Sequence, residues 1–379
     1  MKIAFIVHDV SDFRGHDRYT AELIRHFCHE HEISIFTANL FGIDSDKVKF
    51  YKCPYFKSPV LLKIITFFIT SYFRLLFKKR EGYDLIHMQG VCTLPPKNTI
   101  ITAHFCAASY YRLYKKYVFN RITPLRKLYQ YIYLKTCILL EMWVLCSKNI
   151  KKIIAPCESV KKEIIKYYKI DPDKIIVLYE GVDTEIFKPY VNTGHKTKEK
   201  KQMYLIGDCE RNSLFHVLRA LRHTKEVTLT VIGSRSVEYY KELVFKLGIA
   251  DRVIFEEGKK QMSSIFAVCD IFICTSIYET FGLTALEAIS CGIPTLLSRL
   301  TGVSELVEDG KNAVLINDPA DEDEIASKIN LLLENAALMK NLSEGARELA
   351  LLHTWDKVAA ETFGVYKKVL ENRNVGKDI

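Results

Sequence analysis

At 379 residues, with 49% hydrophobic and 26% charged side chains, the chain has ordinary globular composition, which excludes long disordered stretches and exceeds the size at which one core stops growing. Eleven cysteines, no two in a Cys-x-x-Cys spacing, exclude a disulfide framework and a zinc site and fit a reducing cytosol. The net charge of +9 is uneven: residues 1–190 carry 30 Lys and Arg against 18 Asp and Glu, whereas 191–379 carry 24 against 27.

Short β-branched runs alternate with longer helical patterns in both halves, the signature of parallel sheets with crossover helices. The first half is predicted to hold strands at Lys2–Val7, Ile33–Thr37, Asp84–His87, Thr99–Ala103, Lys152–Ala155 and Ile175–Leu178. The apolar run Ile3–Val7 is too short for the hydrophobic region of a signal peptide, so the expected location is cytoplasmic.

Between the early strands, residues 51–150 concentrate 16 basic against 3 acidic residues among many Phe, Tyr, Leu and Ile, as in Thr66–Arg80 and Tyr110–Tyr117. Basic groups interleaved with aromatic ones suit the face of an anionic bilayer, where each Lys or Arg is worth about 1 kcal/mol. Nucleic acid is the competing anion, but no nucleic-acid module is present and long apolar runs would be wasted on phosphate. The plainer alternative is a set of solvated helix faces. A spanning helix over 60–77 is not expected, because Lys63 and Arg74 interrupt it at about 3 kcal/mol each near the bilayer centre.

A polar stretch, Lys188–Lys201, reads as the linker. Strands follow at Met203–Ile206, Thr228–Ile232, Val253–Phe255, Ile271–Thr275, Pro294–Leu297 and Ala313–Ile316, and the pattern after Asp321 is wholly helical. The expected domains are 1–188 and 202–355, with a helix in 356–379 docking back on the first. Two open parallel sheets would place the carboxyl ends of their strands toward a shared crevice, where ligands bind.

The most informative stretch is Thr275–Pro294, read as strand, turn, helix, glycine stop and strand. Thr280 is predicted to cap the helix, Gly292 to end it, and Leu283, Leu286 and Ile289 to form its core stripe. A helix N-terminus with Gly282 in its first turn is an anion site. Glu279 precedes that turn, and Glu287 lies roughly 12 Å further along at 1.5 Å per residue. Two carboxylates flanking a phosphate-binding turn match a nucleotide sugar, with hexose at one end and ribose at the other. Spacing alone equally allows Glu279 to be a capping acid and Glu287 a partly exposed surface residue.

Glu279 and Glu287 form an E-x7-E motif, and Glu279-Thr280-Phe281-Gly282-Leu283 through Gly292-Ile293-Pro294-Thr295 resembles E-G-F-G-L-x-x-L-E-A-M-A-C-G-x-P-V of the retaining glycosyltransferases of family 4. Gly302–Gly310 resembles that family's G-x-x-E-I-V-x-D-G, Leu247–Val253 its L-G-L-x-D-R-V, and Glu180–Pro189 its N-G-V-D-x-x-x-F-x-P, with Glu180 replacing the usual Asn. The resemblance covers most of the chain. It implies an α/β GT-B fold of two Rossmann-like doubly wound domains facing a central cleft, hexosyl transfer with retention, and no required metal or other cofactor.

By the same resemblance, Glu279 contacts donor-sugar hydroxyls, Glu287 the ribose, and the segment Thr280, Phe281, Gly282 and Leu283 the sugar and diphosphate. His104, after the strand Thr99–Ala103, resembles the donor-side histidine; a loop histidine with a local structural bond is the alternative. Gly15 stands where the family has a Gly-Gly pair beside the diphosphate. After Met203–Ile206 the family has Gly-Arg and then Lys; here Gly207 is followed by Asp208, and Arg211 is the nearby cation, with Arg235 a second candidate. The expected donor is a UDP- or GDP-sugar and the acceptor a glycan, glycolipid or lipid-linked sugar, handled at the inner face of the membrane. A catalytically silent GT-B binding or scaffold protein of a glycan-assembly complex is the main alternative, because loss of both cations would remove several kcal/mol of leaving-group stabilisation. A GT-B phosphorylase or nucleotide-sugar epimerase is another. A dehydrogenase is excluded by the lack of Gly-x-Gly-x-x-Gly after any strand.

Overall fold

A computed structural model describes residues 1–11, 15–78, 81–119, 122–190, 200–233, 237–256 and 261–375. The chain divides into two units, one of Met1–Arg112, Phe119–Glu180 and Trp355–Ile379, the other of Leu113–Val118 and Gly181–Thr354.

In the first unit, β1 (Lys2–Ile6), β3 (Glu32–Thr37), β5 (Val48–Lys52), β6 (Leu85–Gln89), β7 (Thr99–Thr102), β8 (Ile150–Ala155) and β9 (Ile175–Val177) form one seven-stranded sheet in the order β5-β3-β1-β6-β7-β8-β9. Every pair is parallel, so the strands are joined by crossovers: α1 (Gly15–Phe27), α2 (Val60–Phe77), α3 (Ala107–Tyr117), α4 (Pro124–Leu145) and α5 (Glu158–Tyr168). The central strands are buried on both faces, which is why they read as continuous apolar runs. The edge strand β5 and the two-residue strands β2 (Asp9–Val10) and β4 (Asn39–Leu40) escape the sequence reading. Val48–Lys52 mixes Lys with apolar and aromatic residues, and its partly exposed pattern carries no run of buried residues.

The last helix, α12 (Trp355–Val375), packs on this unit. The Tyr366 hydroxyl lies 2.6 Å from Nδ1 of the buried His87, and Trp355 meets the ring of Tyr19 edge-on. On α2, Lys63 is 3.2 Å from Asp9 and sits over the ring of Tyr55, while Ser71 Oγ donates to the Cys92 carbonyl. These ties hold one side of α2 against the unit. Its other side, with Leu62, Ile69, Phe73 and Phe77, is exposed. Among the described residues α2 is the one helix long and apolar enough to cross a membrane.

Glu141 of α4 is buried, and its Oε2 accepts hydrogen bonds from the Ala107 amide at 2.8 Å and from the Tyr168 hydroxyl. Burial nevertheless pushes its carboxyl up to about 8. The folded chain thus keeps a proton that the unfolded chain releases near 4.5, so this contribution to stability is complete below that pH and is lost as pH rises through 8. Glu180, buried and likewise raised to about 8, acts in the same direction. Replacing Glu141 by Gln is expected to shrink the fall in Tm between pH 6 and pH 9; parallel Tm curves for variant and parent would refute the assignment.

In the second unit, β10 (Lys201–Ile206), β11 (Val227–Ile232), β12 (Val253–Glu256), β13 (Ile271–Cys274), β14 (Thr295–Ser298) and β15 (Val314–Ile316) form a parallel sheet in the order β12-β11-β10-β13-β14-β15. The order reverses beside β10, so the loops after β10 and β13 flank the switch point where open α/β sheets bind ligands. The helices are α6 (Leu214–Ala220), α7 (Val237–Lys246), α8 (Met262–Phe266), α9 (Leu283–Ser290), α10 (Glu322–Glu334) and α11 (Ala336–Leu351).

Candidate active site

The loop after β10 is shaped by Asp208. Its Oδ1 accepts hydrogen bonds from the amides of Glu210 at 3.1 Å and Arg211 at 2.9 Å, an Asx turn. Asp208, which replaces the family's arginine, therefore serves the backbone here. Asn212 follows, buried, and donates to the Ile206 carbonyl, while its own carbonyl and side-chain oxygen accept from the hydroxyls of Thr275 and Ser276. The Ile277 amide donates to the Arg211 carbonyl at 2.8 Å. The β10 and β13 loops are thereby sewn together, and the sewing brings Arg211 Nη2 to 3.0 Å from Glu279 Oε2.

Beyond Glu279 the chain stays extended. The Glu279 carbonyl accepts from the Gly302 amide at 2.9 Å and the Phe281 carbonyl from Val303 at 2.7 Å, so residues 279–281 run alongside 301–303. For this reason Thr280 does not cap the helix, contrary to the sequence expectation. The chain turns only at Gly282, whose φ of 106° and ψ of 55° suit a residue without Cβ, and Gly282 is the N-cap. The amides of Leu283 and Thr284 open α9 and carry its positive dipole end, while those of Ala285 and Leu286 already donate to the Gly282 carbonyl. The helix ends as expected: the Gly292 amide returns to Ile289 and that of Ile293 to Ala288.

Leu283, Leu286 and Ile289 of α9 are all buried. Glu287 is too, at 4% exposure, which removes the surface-residue alternative. Below it burial, then the Glu287 charge, push the Cys291 thiol up to about 12, with Arg347 opposing. Arg347 holds the end of α9 by donating to the carbonyls of Ser290, Phe187 and Thr184.

In the first unit, His104 follows β7. Its Nε2 is 2.8 Å from Gln89 Oε1, its Nδ1 3.6 Å from Glu180 Oε1, and Tyr19 meets its ring edge-on. Burial, with the neighbouring His16, lowers the His104 pKa to about 3. Since burial also keeps Glu180 protonated up to about 8, the pair stands neutral near pH 7. The Gln89 carbonyl takes the Nε2 proton, which leaves Nδ1 as the acceptor facing Glu180. Both ring nitrogens of His104 thus have protein groups beside them.

Gly15 opens α1, and a Cβ there would meet open space. Gly207 follows β10 and faces Asn212, 2.7 Å from where a Cβ would lie. Arg235 lies outside the described residues. The structure thus brings Arg211, Glu279, Thr280, Phe281, Gly282, Leu283 and Glu287 into one stretch of the second unit, with Gly207 at the base of the loop that carries Arg211. Sequence reasoning missed Asn212 and Gln89, and read Gly302 as part of a motif without giving it a place in the site. Gly302 opens the G-x-x-E motif and was the legible signal; a buried Asn in a polar loop gives none. Among the described residues no group of three or more His, Cys, Asp or Glu is placed to hold a metal ion.

Residues 13–186 match the model described as Glycosyltransferase Family 4, and residues 192–349 the model described as Glycosyl transferases group 1. A D-inositol 3-phosphate glycosyltransferase of Stackebrandtia nassauensis is 28% identical over 249 residues, covering 59% of this chain and 55% of the relative. The match therefore spans about half the length of that relative. Among solved structures, WaaG, a glycosyltransferase involved in lipopolysaccharide biosynthesis, superposes with a TM-score of 0.78 at 17% identity over 96% of this chain and 99% of its own. Anabaena HepE in complex with UDP and glucose gives 0.71 at 17% identity, covering 97% and 99%. At such identities the likeness establishes the GT-B fold. With its two family matches spanning most of its length, this chain belongs to the glycosyltransferases of family 4.

Proposed function

We propose that the protein is a retaining hexosyltransferase that takes its sugar from a UDP- or GDP-sugar and passes it to a lipid-linked, glycolipid or glycan acceptor at the cytoplasmic membrane face. The observation that carries this reading is the loop of the second unit in which Arg211 and Glu279 stand 3.0 Å apart before the opening turn of α9. Arg211 supplies the cation for the departing diphosphate, the α9 amides the hydrogen bonds, Glu279 grips the hexose hydroxyls, and Glu287 the ribose. By resemblance alone, His104 is the family's donor-side histidine. Retention follows a front-face route that needs no metal: the acceptor oxygen bonds to the anomeric carbon as the glycosidic bond to phosphate breaks, and the leaving phosphate oxygen takes the acceptor proton.

The UDP and glucose complex of HepE supports a uridine donor, and the names of the relatives support a phosphorylated or lipid-borne acceptor. Calorimetry with UDP- and GDP-hexoses tests the reading. Arg211→Ala is expected to weaken donor binding at least tenfold and to lower turnover by about 10²-fold or more, as loss of one preorganised leaving-group contact does; unchanged affinity and turnover would remove Arg211 from the site.

Asp208 in the place of the family's cation favours a second reading, a silent binding protein. Failure to bind any nucleotide sugar would select it.

The membrane assignment rests on α2 and α4, which lie side by side, with Phe68 stacked on Trp143 and the Tyr129 hydroxyl accepting from the Leu61 amide. Together they expose Leu62, Ile69 and Phe73 of α2 and Leu128, Ile132 and Leu139 of α4. Since α2 is tied to the unit through Lys63 and Ser71, this pair lies along a bilayer rather than across it.

A further inference from the structure

The first unit carries a cavity of about 1060 Å³ lined by none of the residues assigned above to the transfer reaction. It is formed by residues 82–83, 94–98 and 146–149, which lead into β6, β7 and β8, and by the last turns of α2 and α4. It thus sits at the amino edge of the sheet, whereas His104 follows the carboxyl end of β7. Its size is at the upper end of the roughly 300–1,000 Å³ of ordinary ligand sites.

Much of the wall is apolar and aromatic, from Tyr72 and Leu76 of α2, Met142 and Trp143 of α4, and Leu94 and Pro95 between strands, with Asn98, Ser147 and Asn149 as its polar part. No Asp or Glu lines it, and two lysines do, Lys97 and Lys148, both exposed. The nearby Lys78 is engaged by Glu81 at 3.2 Å, but neither lining lysine has an ion pair among the described residues. Of its polar lining groups, the Asn149 amide is committed to the Pro95 carbonyl at 2.9 Å. A sugar, which needs many hydrogen-bonding partners, is poorly served there. The aliphatic and aromatic walls together with the two lysines suit an apolar chain attached to an anion.

The cavity is also continuous with the exposed apolar face of α2 and α4, since Leu76, Met142 and Trp143 belong to both. We propose that this cavity binds one acyl chain of an anionic phospholipid, whose phosphate lies against Lys97 and Lys148. The site rests on the membrane-facing reading of α2 and α4 and adds to it a specific lipid, held away from the reacting groups.

Trp143 reports on the site directly. The chain has two tryptophans, and the other, Trp355, is buried against Tyr19. The full chain is titrated with a short-chain phosphatidylglycerol, brominated in its acyl chain, below its micelle concentration, and separately with vesicles of phosphatidylglycerol and phosphatidylcholine. The expected result is saturable quenching of Trp143 at one lipid per chain without any bilayer. Leu76→Glu, which places a carboxylate at the mouth, is expected to weaken it at least tenfold. Lys97→Ala with Lys148→Ala is expected to abolish the preference for phosphatidylglycerol over a brominated phosphatidylcholine of equal length. Absence of saturable quenching, or identical titrations for Leu76→Glu and the parent at unchanged Tm, overturns the proposal and leaves the cavity to a protein segment or to nothing.

A second variant separates this from the broader reading. Ile65→Glu with Ile69→Glu, on the exposed face outside the cavity, should release the protein from vesicles while keeping the one-to-one lipid titration. Lipid binding by a chain that never sediments with vesicles sinks the membrane reading and keeps the site. Sedimentation without the titration does the reverse.

Discussion

Replacing Glu279 by Gln is expected to lower hexosyl transfer by about 10²- to 10³-fold, the usual effect of removing one preorganised polar contact to a reacting group, while UDP without its sugar binds almost as before. The asymmetry follows from position. Glu279 precedes Gly282, and its carboxylate is held by Arg211 at 3.0 Å, outside the helix. On the proposed reading the diphosphate is received by α9 amides, which belong to residues the substitution does not touch. Glutamine keeps the size and one acceptor oxygen but loses the charge with which, on the proposed reading, Glu279 accepts from the donor-sugar hydroxyls. The pair is partly exposed, so its rupture costs folding about 1 kcal/mol or less, and Tm should move little. A parallel loss of UDP affinity would show instead that Glu279 acts by holding Arg211, and that the sugar is gripped elsewhere.

The parts of this site that were legible in the sequence are those whose chemistry is local. The reading of Thr275–Pro294 as strand, turn, helix and stop needed only the spacing of Leu283, Leu286 and Ile289 and the two glycines, because a helix advertises its buried face through periodicity. The same holds for the parallel sheets: buried central strands such as Leu85–Gln89 and Ile271–Cys274 are apolar throughout, whereas the edge strand Val48–Lys52 is not, and was missed. Thr280 was misplaced as a cap because its fate is decided by residues 301–303, which follow a separate strand and draw 279–281 into extended pairing. Asp208 read as a lost cation; only the folded loop shows its carboxylate serving the amides of Glu210 and Arg211. Glu180 was visible as a departure from Asn, but that it faces the bare nitrogen of His104 depends on β7 and the end of the first unit meeting in space.

Gly302 is where a single methyl group should matter most. A Cβ there would fall inside contact distance of the Thr280 carbonyl oxygen and 2.9 Å from the Cα of Phe281, both backbone atoms that cannot swing away as a side chain would. Gly302→Ala must therefore push residues 280–281 off the 301–303 segment, lengthening the bonds from Gly302 to Glu279 and from Val303 to Phe281. Overpacking of this kind costs folding about 1–3 kcal/mol. The larger consequence is positional, because the displaced residues connect Glu279 to Gly282 and so fix the Glu279 carboxylate relative to the helix amides. A misplacement of about 1 Å can cost 10²-fold in rate. Gly302→Ala is thus expected to remain folded with a lowered Tm, to lose about 10²-fold in kcat/KM, and, unlike Glu279→Gln, to weaken UDP and the UDP-sugar together. Full activity in a folded Gly302→Ala protein would mean that the 279–282 loop does not position the donor, and the assignment of this loop as the donor site would fail with it.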